Sequence, residues 1–547
     1  MMTLLKQLLW GGYWGAALLL LLAGCGIKRS IAAANPSPSP ITITLAPTTT
    51  FTPLPPTVTL APIATFTPIP TATATATATA TPTPVPLVQI ALPATWANLE
   101  PLILADNTTN TAWQWAVTFT EAPETIAAPL TLVPGETTLP VGTIPLALVV
   151  PFTHRWEDVD GVMAQYILAN GHELAVVRPW REITPQFKAL RVDGLRPPDE
   201  GYPLQQPWGI SAMAGYEAAG EALAALLRPH FPADTVVHLG AVGDLMLSRT
   251  LGNYIAAGDL AYPFQYLPEY LTSPDYTIGN LETSLGDIGE PAPKAYPFQS
   301  PLGSAEALAL GGFDLVSLAN NHAMDYGPEA LLQGLDLLAQ AGVAVVGAGV
   351  NDAAAHTPYI TEVNGLKLAF LGYVHVPREA SSGFDVETWN ATTAAPGLAW
   401  GYPERIRADV AAAVPLADHV IVILHSGFEY IEEPSEPQIA AAHAAIEAGA
   451  TLVIGHHAHI LQGIEYYQNG VIVYGLANFA FNIDGPPETA IANIWLDAAG
   501  VRQIEIIPAM VKETGQPRPA LPHEATPILE RVYFLTTILN PVKPTTQ

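Results

Sequence analysis

Residues 451–459 read TLVIGHHAH: an apolar run from Thr451 to Ile454, then Gly455, His456, His457, Ala458 and His459. Three imidazoles in four residues gain little from packing, whereas imidazole suits borderline divalent metals, so the stretch points to a metal site at a strand end. The same layout recurs along the chain. The run 236–242 (VVHLGAV) leads into Gly243 and Asp244, and 276–278 (YTI) into Gly279, Asn280, Leu281 and Glu282. The run 313–319 (FDLVSLA) leads into Asn320, Asn321 and His322, with Asp325 following. The run 420–424 (VIVIL) ends at His425 with Glu429 beyond it, and 471–474 (VIVY) is followed by Gly475 and Asn478. A lone histidine after a strand is more often packed than ligating, and a Gly-Asp pair is ordinary turn chemistry. Six such strand ends in order are not ordinary, and five of the 14 histidines sit on them.

Helical patterns separate the runs. One opens at Pro328, a favoured first helical residue, and runs to Ala341 before Gly342; another spans Gln438 to Ala448 and stops at Gly449. Strands alternating with helices predict an α/β sheet, and in such sheets ligands gather outside the carboxyl ends of the strands.

The chain is 547 residues long, enough for two or three domains. Charged residues make up 13%, about half of the ~25% usual for a soluble domain. The balance of 21 Lys+Arg against 49 Asp+Glu gives −28, opposite in sign to what a phosphate-neutralising nucleic-acid binder needs. Cys25 is the single cysteine, so disulfide frameworks, thiolate metal sites and a cysteine nucleophile in the globular part are excluded. Any metal must be held by His, Asp, Glu or Asn.

Lys6 begins a short basic region, and an apolar stretch from Leu8 to Ala23 follows, marginal for the ~20 residues of a spanning helix. It ends in Leu22, Ala23, Gly24 and Cys25, which resembles the lipobox of bacterial lipoproteins. The resemblance implies a signal peptide over 1–25, cleavage before Cys25, and lipidation of that residue; an uncleaved signal anchor is the alternative. Both predict an extracytoplasmic protein tethered to the cell membrane. Residues 26–86 form a Thr/Pro/Ala-rich segment, and between Ser30 and Leu99 no residue is charged. Frequent proline forbids helix and no periodic apolar face exists, so a disordered linker is predicted, able to reach over ~100 Å as polyproline II.

Charge returns in 87–232, read as a smaller accessory α/β domain. Strands are predicted at 145–150 and 173–178, and a helix from Ile210 to Leu227. The pieces 191–194 (RVDG) and 202–208 (YPLQQPW) resemble the crossover region of periplasmic solute-binding domains; a domain without a ligand is the other reading.

From 235 to 515 the ordered set GDLM, NLETSL, SLANNHAMDYG, HSGFEY, GHHAHILQGIE and YGLANFAF resembles the CapA family of poly-γ-glutamate capsule synthesis proteins, itself similar to the calcineurin-like metallophosphatases. The resemblance implies a four-layer α/β/β/α sandwich, with 516–547 as a C-terminal tail. It implies Asp244, Glu282, Asn321, His425, His457 and His459 as ligands of one or two divalent ions (Mn, Fe or Zn), with His456 and His457 competing for one place. His322 would be the catalytic acid/base, Asp325 would orient its ring, and Asn280, Glu429 and Asn478 would touch substrate. Metallophosphatases open with Asp-x-His, whereas here Asp244 is followed by Leu245 and Met246, so one ion is as defensible as two. The expected partners are the membrane, poly-γ-glutamate and a capsule synthetase complex that supplies the ATP chemistry. The expected functions are capsule synthesis or export, hydrolysis of envelope phosphoesters or amides, or non-enzymatic assembly.

Overall fold

The computed structural model describes residues 85–541 except 124–125, 233–234 and 483–484; the expected signal peptide, Cys25 and nearly all of the linker lie outside them. The described residues form one compact unit. Among the described residues, no helix is long and apolar enough to cross a membrane.

Two sheets stack face to face from residue 236 onward. The first runs, in order, Ala344–Val346, Leu315–Ser317, Tyr276–Leu281, Val236–Met246, Glu488–Asp497, Gly500–Val511 and Pro517–Pro519, with Asn478–Phe481 also paired to Val236–Met246. The second runs Tyr359–Val363, Leu366–His375, His419–Ser426, Leu452–His456, Gly470–Val473 and Ile464–Tyr467. Alternation along each strand sends one set of side chains inward. Leu239, Ala241 and Ile278 of the first sheet meet Phe370, Ile421 and Ile454 of the second in one core. Val242, Leu245 and Val316 face outward onto helices Arg249–Ala256, Ser304–Leu310 and Gly327–Ala341 through Leu251, Leu308 and Leu331. Val422, Leu424 and Val453 face outward onto helices Pro403–Ala413 and Glu436–Glu447 through Ile406, Val410 and Ala441. The result is the expected α/β/β/α sandwich.

The predicted helix ends have clear causes. Gly342 takes the left-handed conformation (φ 80°) that closes one helix, and Ser435 forms a capping box with Gln438 at the start of the other. The strands that carry the candidate ligands are mutually parallel where they meet: 236–246 with 276–281 and 478–481, and 419–426 with 452–456. Their carboxyl ends therefore open at the same edge of the sandwich.

Two expectations are corrected. The predicted helix from Ile210 begins only at Glu217, because Gln205–Ala212 is a strand paired on both sides, with Leu130–Pro134 and with Leu139–Pro145. Two ladders of backbone hydrogen bonds outweigh a modest helix preference, and Gly215 (φ 91°) makes the turn between strand and helix. The stretch after 515 is also no separate tail. Pro517–Pro519 extends the first sheet, and helix Pro522–Leu539 places Ile528, Val532 and Tyr533, four and five residues apart, in the inter-sheet core.

The region before 232 is a seven-stranded sheet, ordered 114–120, 87–93, 130–134, 205–212, 139–151 and 176–179, with 187–189 also paired to 139–151. It is bound to the sandwich by specific contacts. Trp180 donates to Gln503 (2.8 Å), lies under the Arg502 guanidinium (4.5 Å) and packs in one apolar patch with Trp495. Arg191 and Arg196 both donate to Glu505, and Lys188 reaches Glu157 and the Tyr533 hydroxyl.

Candidate metal centre

Asp244 reaches the site through a bulge. The register of its strand shifts between Ala241 and Asp244, and Gly243 passes so close to the 478 strand that a Cβ would stand 1.9 Å from the Ala477 carbonyl oxygen. Only glycine fits there. The Asp244 carboxylate accepts from Asn280 Nδ2 (2.9 Å) and from the His457 backbone N–H (3.3 Å). His456 Nδ1 lies 3.0 Å from one of its oxygens and His459 Nδ1 3.2 Å from the other.

Glu282 follows the neighbouring strand and is fully buried, yet neither of its carboxylate oxygens has a hydrogen-bond partner. Around it stand His425 Nε2 at 3.5 Å and His459 Nε2 at 3.8 Å. His425 Nε2 is also 2.7 Å from Asn321 Oδ1 and 3.1 Å from His457 Nδ1. Two sets of three groups close enough to share an ion emerge among the described residues: Glu282 with His457 and His459, and Asp244 with Glu282 and His425. Glu282 belongs to both, the position of a bridging carboxylate. His457 is in one set and His456 in neither. The backbone of His457 (φ 88°) and of His459 (φ 54°) is left-handed, a strained conformation of the kind that collects at functional sites.

The electrostatics fit a cation. Burial and the nearby Asp244 push the Glu282 carboxyl well above its ordinary range. Burial also works against the Asp244 anion, but hydrogen bonds from His456 and His459 hold it well below the ordinary range. His459 overcomes its burial through Glu282 and Asp244 and is pushed up to about 10, while burial and His459 hold His457 down at about 3. The Glu282 carboxyl and the His459 imidazole thus both hold protons that a divalent ion would displace, since protons and divalent ions compete for the same lone pairs. These donors therefore suit a divalent ion of borderline character. Met246 does not supply the missing histidine: it is buried with Phe298 and Phe481, and its sulfur lies 2.6 Å from the Ser248 hydroxyl.

Beside the ligands, His322 Nδ1 is 2.6 Å from Asp325 Oδ2, and Asp325 also accepts from the Phe298 N–H (2.7 Å). His322, Asn321, His457 and His459 line a cavity of about 1070 Å³ whose walls include Phe298, Phe428, Tyr430 and Phe481. Arg249, Arg378, Glu379 and Glu429 also line it. Of the three residues expected to touch substrate, Glu429 alone is on this wall. Asn280 is wholly buried behind the ligands, holding Asp244 and facing His425 Nδ1 at 3.1 Å. Asn478 lies 2.8 Å from His459 Nδ1 and lines a smaller neighbouring cavity.

Sequence reasoning missed Lys294. Its side chain is completely buried, 2.8 Å from Asp325 Oδ1 and 2.9 Å from Glu379 Oε1. A signal existed: Lys294 is the only Lys or Arg between Arg249 and Lys367. Arg249 was missed as well; its left-handed backbone (φ 50°) and its position 4.8 Å over the Phe298 ring are invisible in the sequence.

The profile described as bacterial capsule synthesis protein PGA_cap matches residues 238–483, which include every one of these candidate ligands. The capsule biosynthesis protein CapA of Bacillus anthracis is 31% identical over 288 residues, 51% of this chain and 68% of that protein. The PGA biosynthesis protein CapA of Bacillus subtilis is 31% identical over 300 residues, 54% of this chain and 74% of its own length. Among solved structures, a hypothetical protein from Thermus thermophilus is similar at 16% identity and TM-score 0.33, over 50% of this chain and 98% of its own.

Proposed function

The chain belongs to the CapA family of capsule synthesis proteins, and from that premise we propose that it serves poly-γ-glutamate capsule synthesis as a metal-dependent hydrolase of the calcineurin-like type at the outer side of the cell membrane. The observation that carries the hydrolase reading is Glu282, a buried carboxylate with neither oxygen hydrogen-bonded. When bound, a divalent ion (Mn, Fe or Zn) held by Asp244, Glu282, Asn321, His425, His457 and His459 would supply Lewis-acid charge and an acidified water. The chain's own groups do the rest. Asp325 occupies the Nδ1 side of His322, which leaves Nε2 to take up a proton in the cavity and hand it to a leaving oxygen or nitrogen there. Arg249 and Arg378 line the cavity, with Arg378 paired to Asp385 and Glu429 on the same wall, so an anionic substrate would meet positive charge chiefly at Arg249. Cys25, as a lipidated residue, would hold the protein at the membrane, and Cys25→Ala would then abolish lipid labelling.

The test is metal analysis of the purified full chain together with turnover of bis(p-nitrophenyl) phosphate. At least one ion per chain is expected, lost in Asp244→Ala and His459→Ala. His238, stacked on Trp495 at 4.6 Å and outside the site, should tolerate alanine without metal loss. Turnover should follow the metal. Metal without turnover, and without effect of His322→Asn on capsule yield, would favour a non-enzymatic assembly role.

A further inference from the structure

Lysine is almost never fully buried unless its charge is matched, so the completely buried side chain of Lys294 needs a reason. An ammonium has three N–H donors and accepts nothing. Three oxygens surround this one: the Asn321 carbonyl, Asp325 Oδ1 at 2.8 Å and Glu379 Oε1 at 2.9 Å. Its three donors are therefore matched by three oxygens, and the Trp389 ring lies 5.0 Å from the nitrogen. His322 Nδ1 also lies 3.4 Å from the same nitrogen, the longest of these contacts, whereas Asp325 Oδ2 stands only 2.6 Å from Nδ1.

The other oxygen of Asp325 lies 2.7 Å from the Phe298 nitrogen and 2.6 Å from His322 Nδ1. The carboxylate is thus fixed by Lys294 on one side and by a backbone amide on the other. Its remaining capacity goes to His322, and a carboxylate can only accept. The neutral ring is then protonated at Nδ1, with Nε2 unprotonated toward the cavity.

We propose that Lys294 is the positioning residue of the acid/base pair: anchored by its donors to the Asn321 carbonyl and Glu379, it locks Asp325 with the third, and through Asp325 the Nδ1–H tautomer and ring orientation of His322. Glu379, which lines the cavity, ties this lock to the cavity wall. The catalytic consequence rests on the hydrolase reading above, but the tautomer does not, so the two are tested separately.

Nitrogen-15 NMR of histidine-labelled, zinc-loaded full chain, with the His322 signal identified by His322→Gln, reads the tautomer directly. Wild type should show one pyrrole-type and one pyridine-type nitrogen, with the proton on Nδ1. Lys294→Met should collapse this to an averaged, mixed pattern while zinc content stays at the wild-type level. Glu379→Gln, which removes one acceptor from a residue at the cavity wall, should produce a partial shift in the same direction and serves if Lys294→Met does not fold. If wild type turns over bis(p-nitrophenyl) phosphate, Glu379→Gln and Lys294→Met should lower kcat, the latter by roughly 10–100-fold, a share of the ~10²–10⁴ of general acid–base catalysis, with KM unchanged. An unchanged Nδ1–H pattern in a folded variant would overturn the proposal whatever the activity. Loss of zinc in Lys294→Met equal to that in Asn321→Ala would also overturn it, making Lys294 a support of the metal loop instead. Absence of wild-type turnover with the expected NMR change would sink only the hydrolase reading.

Discussion

Residues 87–232 and residues 236–541 both bury charge, but they neutralise it differently. In the first region Lys188 is the only buried charged residue among those described, and it is met by Glu157 and the Tyr533 hydroxyl. The neighbouring Arg191 and Arg196 converge on Glu505 of the second region. In the second region Asp244, Glu282, Lys294, Asp325 and five histidines are buried together at one edge of the sandwich, and Glu282 is left without a hydrogen bond. Matched charge here joins two regions into one body. Unmatched charge, kept in place by surrounding strands, is what makes a site able to take up a cation.

The contrast breaks most visibly at Glu282. Glu282→Gln should abolish metal binding, yet the metal-free variant should melt higher than metal-free wild type. Burial and Asp244 hold this carboxyl above its ordinary range, so folding at neutral pH has to protonate it; glutamine removes that cost, roughly 1–3 kcal/mol, or about 1 °C per kcal/mol for a body of about 450 residues. Calorimetry with and without added metal measures both; a variant that melts lower without metal would show that Glu282 is satisfied after all. Next in size is His322→Asn, expected to cut kcat by ~10²–10⁴-fold with metal content retained, measured by steady-state kinetics beside metal analysis.

Glu505→Ala should do the reverse: leave metal content unchanged and destabilise the protein. The two arginines and Glu505 are 33%, 24% and 11% exposed, so solvent screening reduces the ~3–5 kcal/mol of a fully buried broken pair to about 1–3 kcal/mol. Urea unfolding reads this as a lower midpoint. The smallest effect is the pH dependence of the same contact. Burial opposes the Glu505 anion, but Arg191 and Arg196 hold its carboxyl below the ordinary range. Between the ordinary and the lowered value the unfolded chain binds more protons than the native one, so stability rises with pH there. The contribution is complete above the ordinary range, near ~4.3, and is lost as pH falls through the native value. The stability gap between wild type and Glu505→Gln should therefore narrow from pH ~6 to pH ~3; a constant gap would mean that the carboxyl is not shifted.

Much of the second region was legible because its chemistry is written locally. Each ligand directly follows an apolar run, and parallel strands bring those run-ends to one edge without further information. The boundaries of Gly327–Ala341 and Glu436–Glu447 were equally local, set by Pro328, Gly342 and Gly449. What escaped was set by distant partners. Ile210 reads as helical until two strands claim its backbone, and Val532 and Tyr533 join the core only because the two sheets leave room for them. Lys294 lies in a proline-rich loop with no periodicity, and its importance depends on Asp325 and Glu379, 31 and 85 positions away. That His457 rather than His456 stands near Glu282 likewise goes with a left-handed backbone at 457 that no residue spacing encodes.

That twist has a kinetic consequence. The His457 peptide N–H is bonded to the Asp244 carboxylate, so opening this one peptide disturbs the candidate ligand oxygens at the same moment. Ion uptake by the proposed centre would thereby be coupled to amide exchange at position 457. Deuterium uptake there should slow on metal addition, while the interior of strand His419–Ser426 keeps its rate, making a single amide a clock for occupancy of the whole centre.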